Sequence, residues 1–284
     1  MYVVVGAGGN TGASVARALL AAGEPVRALV RSEEKAAPWR ARGAEAVVAD
    51  ARDPDALARA LAGAKGAYLM NPPDYAAEDP YGQAERTAEA WARAIEASGL
   101  PHAVVLSSQG AQKAEGSGLI GTLHRIERRL GALDRPVTFL RPSYFLENWG
   151  AVLDPVLRQG VLPSFLDLDR PVATVASADI GAAAAALLAD PAPARRTVEL
   201  TGPREESPRA VAEAFSRLLG RPVAPVRIPR EGWAAAAAEL PFSQAARDGL
   251  LGIYAGIEDG ALPFEGTPRR GTVGLEDGLR PLLR

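Results

Sequence analysis

Met1-Tyr-Val-Val-Val5-Gly-Ala-Gly-Gly-Asn10-Thr-Gly12, running into Ala13-Ser-Val-Ala-Arg-Ala-Leu-Leu20, is the stretch that decides the fold. Tyr2 to Val5 is a short apolar run, mostly β-branched, which marks a buried strand, and the apolar residues after Gly12 recur with helical spacing. The glycines between them fill a tight strand-to-helix bend. Glycine permits positive φ and close approach of a ligand to the backbone, while a helix starting near Thr11 presents unpaired N–H groups and the positive end of its dipole. Such a bend is a cradle for a phosphate or pyrophosphate. Its spacing, Gly6-x-x-Gly9-x-x-Gly12 with Gly8 additional, differs from the GxGxxG of the ordinary dinucleotide fingerprint. Its place after a first strand and before a first helix nevertheless points to dinucleotide binding through Gly6, Gly9, Asn10, Thr11 and Gly12.

Outward from that bend, strands and helices alternate. Val26 to Val30 is a second strand, 46–49 a third, 66–70 a fourth, 103–106 a fifth and 137–140 a sixth, with helical patterns between them. Asp53-Pro54 starts one helix by a side-chain cap and a proline in its first turn. Ser177 reads as the cap of an alanine-rich helix whose dipole Asp179 complements, and Ser207-Pro208 opens another that Gly220 stops. A helix is expected over 119–130, an extended segment over 223–228, and one or two helices over 233–257.

This alternation predicts an α/β fold, a doubly wound parallel sheet of the Rossmann type with a small C-terminal substrate lobe. The expected division is a dinucleotide-binding domain over 1–144, to which 172–202 return, and a smaller substrate-side lobe from 145–171 and 203–284. Ligands of such sheets sit beyond the carboxyl ends of the strands. That rule collects Arg31, Asp50, Asn71, Pro72, Ser107 and Ser108 on one side of the molecule. Asparagine occurs only at positions 10, 71 and 148, each beside the glycine bend or a strand end. At the tip of the second strand no carboxylate is present to accept from a ribose 2′-hydroxyl, and Arg31 stands there instead. NADP(H) is therefore expected in preference to NAD(H), because arginine pairs with a 2′-phosphate. Asp50 either accepts from the adenine amino group or makes a loop hydrogen bond.

Composition narrows the function. Lys plus Arg number 32 and Asp plus Glu 34, without a basic block, so neither a nucleic-acid footprint nor a polybasic membrane patch is present. No apolar run approaches the roughly eighteen residues of a membrane span. The chain opens on its first strand rather than on an export signal, so a cytoplasmic protein is expected. With no cysteine, disulfides, thiolate metal sites and a thiolate nucleophile are excluded, and with only His102 and His124 no histidine-built metal site is expected.

The order of Gly6-x-x-Gly9-x-x-Gly12, Arg31, Val104-Val-Leu-Ser-Ser108, Leu140-Arg-Pro142 with Glu147-Asn148, Asp179-Ile-Gly181, Leu200-Thr-Gly-Pro203 and Leu219-Gly-Arg-Pro222 resembles the NmrA-like group of atypical short-chain dehydrogenase/reductases. The resemblance spans nearly the whole chain and implies NAD(P)(H) binding. Ordinary reductases of the wider family use a Tyr-x-x-x-Lys pair as acid and base. Here the fourth residues after the six tyrosines are Gly6, Pro72, Asp79, Glu85, Asn148 and Glu258, none of them lysine. What the resemblance then implies is direct hydride transfer to an acceptor that needs little acid help, such as a quinone; the alternative is a non-catalytic sensor of the dinucleotide.

For the enzyme, His124 is the candidate proton donor, its rival role being a surface histidine paired with Glu127. Tyr144, Phe145 and Asn148 either touch the acceptor or nicotinamide, or pack in the core and hold a loop. The expected partner is a small-molecule substrate, with a homodimer or a regulatory protein partner left open.

Overall fold

Short β-branched runs separated by amphipathic helices bury both faces of every strand only when helices cover a parallel sheet on both sides. A computed structural model, which describes residues 1–284, has that architecture. The chain runs β1 (Tyr2–Val5), α1 (Asn10–Ala21), β2 (Val26–Val30), α2 (Glu33–Arg40), β3 (Glu45–Val48), α3 (Pro54–Leu61), β4 (Gly66–Leu69), α4 (Pro80–Ser98) and β5 (Ala103–Leu106). It continues through α5 (Gly121–Leu130), β6 (Val137–Pro142), β7 (Tyr144–Phe145), α6 (Leu153–Gln159), β8 (Val161–Ser164), β9 (Val172–Val175), α7 (Ser177–Ala189) and β10 (Arg196–Thr201). The remainder holds β11 (Glu205–Glu206), α8 (Pro208–Leu219), β12 (Ala224–Arg227), α9 (Trp233–Ala238), α10 (Gln244–Glu258), β13 (Arg269–Arg270) and α11 (Leu275–Leu279).

Eight strands make one sheet in the order β13-β10-β6-β5-β4-β1-β2-β3, every neighbouring pair parallel. The winding reverses between β1 and β4, which opens a crevice at the carboxyl ends of those two strands. Alternate residues of β1 serve opposite faces. Tyr2 and Val4 join Val15, Leu19, Tyr68, Ile180 and Leu187 in the core beneath α1 and α7. Val3 and Val5 join Leu57, Trp91, Ile95, Ile126 and Phe139 beneath α3, α4 and α5. Each of the three buried valines of this strand contributes about 1.5–3 kcal/mol, which lets so short a strand hold the centre of the sheet.

A third core lies apart from these two: Trp149, Val156, Leu162, Val211, Phe215, Val223 and Leu279 close around each other. Two small sheets support it, β8 with β12 and β9 between β7 and β11. The tail does not stay in the lobe throughout, because Arg269–Arg270 return to pair with β10 at the edge of the main sheet. A two-residue strand carries too little pattern to announce itself in sequence.

The helix ends are mostly those the sequence predicts. Asp53 accepts from the N–H groups of Asp55 and Ala56, Ser207 accepts from Ala210, and Gly220 closes α8 at φ 66°. Ser177 corrects the expectation: it lies inside the first turn of α7, Ala176 occupies the capping position, and the Ser177 N–H is taken by Glu147 from another segment. A 3-10 turn, Gly118–Ile120, replaces the first turn expected of α5.

His102, at the foot of β5, is 2% exposed, and its Nε2 faces the Thr138 hydroxyl at 3.2 Å. Burial, with Arg196 nearby, pulls its pKa down to about 4. The folded protein thus keeps this ring neutral while the unfolded chain takes up a proton near pH 6.5. Stability is full above that pH and is lost as pH falls toward 4, by up to about 3 kcal/mol. Urea unfolding of the native protein and of His102→Gln at pH 7 and 4.5 checks this: the acid-side loss should shrink in the variant, and parallel losses would disprove it.

Candidate active site

The site starts at the bend after β1. Gly6 has φ 76°, and a Cβ there would lie 2.5 Å from the Met70 sulfur. A Cβ on Gly12 would lie 2.3 Å from the Gly6 carbonyl oxygen, so only glycine lets α1 begin this close to β1. The first helical bond of α1 runs from Ala13 to the Gly9 carbonyl, and no side chain caps the helix. The N–H groups of Gly8, Asn10, Thr11 and Gly12 consequently have no partner within the protein. Four free donors and a helix dipole converging on one exposed bend are a receptor for an anion.

Two residues that the sequence did not single out brace the bend. Trp39, buried on α2, donates from its indole to the Ala7 carbonyl at 3.1 Å. The stem of Lys35 lies over Gly8, whose Cβ would meet Lys35 Cγ at 3.4 Å. Neither has a motif, since both act from a neighbouring helix. Arg31 is exposed at the tip of β2 and forms no ion pair. Its charge is felt by Asp50, whose carboxyl is held below the usual range chiefly by a side-chain hydrogen bond from Arg52. Asp50 accepts from Arg52 at 2.8 Å, a loop interaction that occupies the carboxylate.

Across the crevice, Asn71 and Pro72 follow β4, and Ser107 and Ser108 follow β5. Because β5, β4, β1 and β2 are neighbours, the glycine bend, Arg31 and these four residues share one rim. Ser107 is 2% exposed and donates to Glu127 on α5, while the Ser108 hydroxyl donates to the Gln109 carbonyl at 3.0 Å.

Glu127 corrects a further expectation. It does not pair with His124; it takes Arg141 in a two-pronged bond of 2.8 and 2.6 Å. The third contact of that guanidinium is Glu265 from the tail. Despite its desolvation, which works the other way, Arg141 is raised above its ordinary pKa by Glu127 and Glu265. His124 instead sets Nδ1 2.8 Å from the Ala111 carbonyl. A carbonyl oxygen only accepts, so Nδ1 carries the hydrogen of that bond.

Aromatic residues follow β4 and β6 on the same side of the sheet. Tyr144 and Phe145 form β7 and pair with Thr174 and Val175. The Tyr144 ring meets Trp149 edge-on at 6.1 Å, and its hydroxyl lies against the hydroxyl of Tyr254 and the exposed Asn148 side chain. Burial raises the pKa of both phenols, so they stay protonated at neutral pH. Phe145 packs against the core beneath α1 and α7. Tyr75, in the loop after β4, stacks on Phe242 at 4.3 Å.

Comparison with known proteins now bears on this geometry. The model of the NmrA-like family matches residues 2–246. The chain belongs to that family. It is 28% identical over 257 residues to a protein of Xenophilus azovorans named NAD(P)H azoreductase, covering 90% of this chain and 86% of that one. It is 33% identical over 225 residues to a Streptomyces griseus protein named (4-alkanoyl-5-oxo-2,5-dihydrofuran-3-yl)methyl phosphate reductase, covering 78% and 75%. Among solved structures, the NADPH complex of the Escherichia coli quinone oxidoreductase QOR2 superposes with TM-score 0.78 over 100% of both chains at 24% identity.

In this NmrA-like protein, α5 carries Glu127 toward the rim and uses it to hold Arg141. Removing the guanidinium leaves a carboxylate that is 9% exposed without its partner. Arg141→Met is therefore expected to cost about 3–5 kcal/mol in urea unfolding. Glu265→Gln should cost about 1 kcal/mol or less, because the Glu265 side chain is 57% exposed. Equal losses for the two variants would contradict the assignment of Glu127 as the buried partner.

Proposed function

We propose that this NmrA-like protein is an NADPH-dependent oxidoreductase that passes hydride directly to a small electron-poor acceptor such as a quinone. The observation that carries this reading is the set of unpartnered amides at the head of α1, in a bend where Gly12 admits no side chain. The residues fit a dinucleotide: the amides of Gly8, Asn10, Thr11 and Gly12 would hold the pyrophosphate, with Gly6 and Gly9 leaving it room. Arg31 would meet the 2′-phosphate, Asp50 and Arg52 would border the adenosine, and Asn71, Pro72, Ser107 and Ser108 would flank the nicotinamide half. The names of the relatives, reductases that use NAD(P)H among them, support the same reading.

When bound, the nicotinamide supplies the hydride, and the chain supplies position and a screened environment. With no Tyr-x-x-x-Lys pair in the sequence, strong acid assistance is absent from α5. That suits acceptors whose product anion needs no strong acid, as a hydroquinone does. His124 and Tyr144 remain the two candidate donors; the Nδ1 of His124 is engaged by the Ala111 carbonyl, which leaves Nε2 as the nitrogen that would act. Tyr144, Phe145 and Asn148 would border the acceptor. A protein that only sensed the dinucleotide would need the same bend and rim but no acceptor pocket.

Two measurements test this. Arg31→Ala should weaken NADPH about tenfold or more, a loss of about 1.4 kcal/mol or above, and leave NADH unchanged; equal effects on both would remove Arg31 from the 2′-phosphate. NADPH oxidation over a panel of quinones should show turnover. Binding of NADPH with no turnover across the panel would replace the enzyme with the sensor.

A further inference from the structure

We propose that α10 is a lid over the acceptor end of the crevice, hinged at its C-terminal end and latched at its N-terminal end by Phe242 and Ser243 on Tyr75 and Ala77, and that this latch opens to admit the acceptor. That an acceptor passes beneath it rests on the reductase reading above; the fastening of α10 rests on contacts within the fold.

Residues 71–79 follow β4 and residues 107–117 follow β5, so both loops stand at the carboxyl ends of those strands. α10 is fastened to both. At its start, Ser243 donates its N–H to the Tyr75 carbonyl at 2.8 Å and its hydroxyl to the Ala77 carbonyl at 2.7 Å, and the Phe242 ring stacks on Tyr75 at 4.3 Å. Midway, Gly252 packs so closely that a Cβ there would lie 2.9 Å from the Gly118 Cα. Just past its end, the carbonyls of Ala261, Leu262 and Pro263 accept from Lys113, Gln109 and Gln112 at 2.8, 2.6 and 2.8 Å. A helix of 15 residues is about 22 Å long, so α10 reaches from one loop to the other and bridges the route between them.

The two ends are held unequally. At the C-terminal end, Leu262 is buried in a small core with Ala111 and Ile120, against which Ile253 and Ile257 of α10 pack. Ion pairs of Glu258 with Arg227 and of Asp259 with Arg230 add to that hold. The N-terminal contact consists of two hydrogen bonds to backbone carbonyls and one ring pair, whose Tyr75 is 36% exposed. Each side of this contact is braced within itself. Ser243 caps α10 by accepting from Ala246, and Arg247 donates to the Leu240 carbonyl at 2.7 Å, which makes residues 240–247 one unit. On the other side, Gln83 of α4 donates to Asp74, which also accepts the Ala76 N–H. The parting therefore runs between Tyr75 and Phe242, with the flanking loops absorbing the change in backbone angles. Closure behind the acceptor restores the ring pair and keeps water from the hydride transfer.

The chain has no cysteine, so a single introduced thiol reports on a single place. Ala246, one turn before Gly249 on α10, and Ala111, beside Leu262, are both 0% exposed. With Ala246→Cys as the background, Tyr75→Ala should speed reaction of the thiol with dithiobis-nitrobenzoate about tenfold, and Tyr75→Phe, which keeps the ring, should leave the rate as it was. With Ala111→Cys as the background, Tyr75→Ala should change nothing. In the cysteine-free protein loaded with NADP⁺, association and dissociation of 2,3-dimethyl-1,4-naphthoquinone, followed by quenching of tryptophan fluorescence, should both quicken about tenfold in Tyr75→Ala. The proposal is overturned if Tyr75→Ala leaves the thiol at position 246 as slow as before, if it exposes both thiols equally, as general destabilisation would, or if the rates for the quinone do not change. Failure of the NADP⁺-loaded native protein to bind the quinone would defeat the quinone acceptor alone, since the thiol rates decide the opening of α10 independently.

Discussion

The guanidinium of Arg141 sits at the end of β6 with a side chain only 6% exposed, and a buried cation must find carboxylates or unfold its surroundings. It finds one on α5 and one in the tail, Glu127 and Glu265, which joins the middle of the sheet to a segment more than a hundred residues later. Other side chains repeat the same device along that tail. Glu199 on β10 accepts the N–H groups of Glu265 and Gly266, and Asp179 on α7 accepts those of Thr272 and Val273. Gln109 and Lys113 donate to the carbonyls of Leu262 and Ala261. Charge-to-backbone bonds of this sort contribute modest net stability, yet they permit one register only, because a slip by one residue leaves buried charges unpaired. The strap they create runs from the end of α10 past the edge strand β13.

A second constraint is the closeness of backbones around α1. Gly12 lets the helix begin against Gly6, and on its far side a Cβ on Gly181 of α7 would lie 2.5 Å from the Ser14 backbone. The helix is therefore gripped from both sides by residues with no side chain. Its free amides are held at a set place by sterics rather than by a cap, which leaves them for a ligand.

The first of these constraints occupies the inward face of α5, where Glu127 is buried against Arg141. That carboxylate is committed to Arg141 and to the Ser107 hydroxyl. Burial keeps the phenols of Tyr144 and Tyr254 protonated.

The first hundred and forty residues were legible because local physics specified them. β-branched runs of four or five residues, helical spacing, the Asp53 and Ser207 caps and the glycines of the bend each act over a few residues, and together they imply the parallel sheet and its ligand-bearing rim. Boundaries slipped where local preference is weak, as at Ser177, where Glu147 from a distant segment supplied the cap. The tail and the acceptor side were not legible. Their residues meet through pairs such as Arg141 with Glu265, or Tyr144 with Tyr254, which are separated by over a hundred positions and leave no periodic trace. Sequence by itself determined the fold and its family, since those follow from backbone geometry near each residue. Only the tertiary structure decided which carboxylate holds Arg141 and which carbonyl His124 meets, because a polar group's partner is chosen by what folding brings within bonding distance.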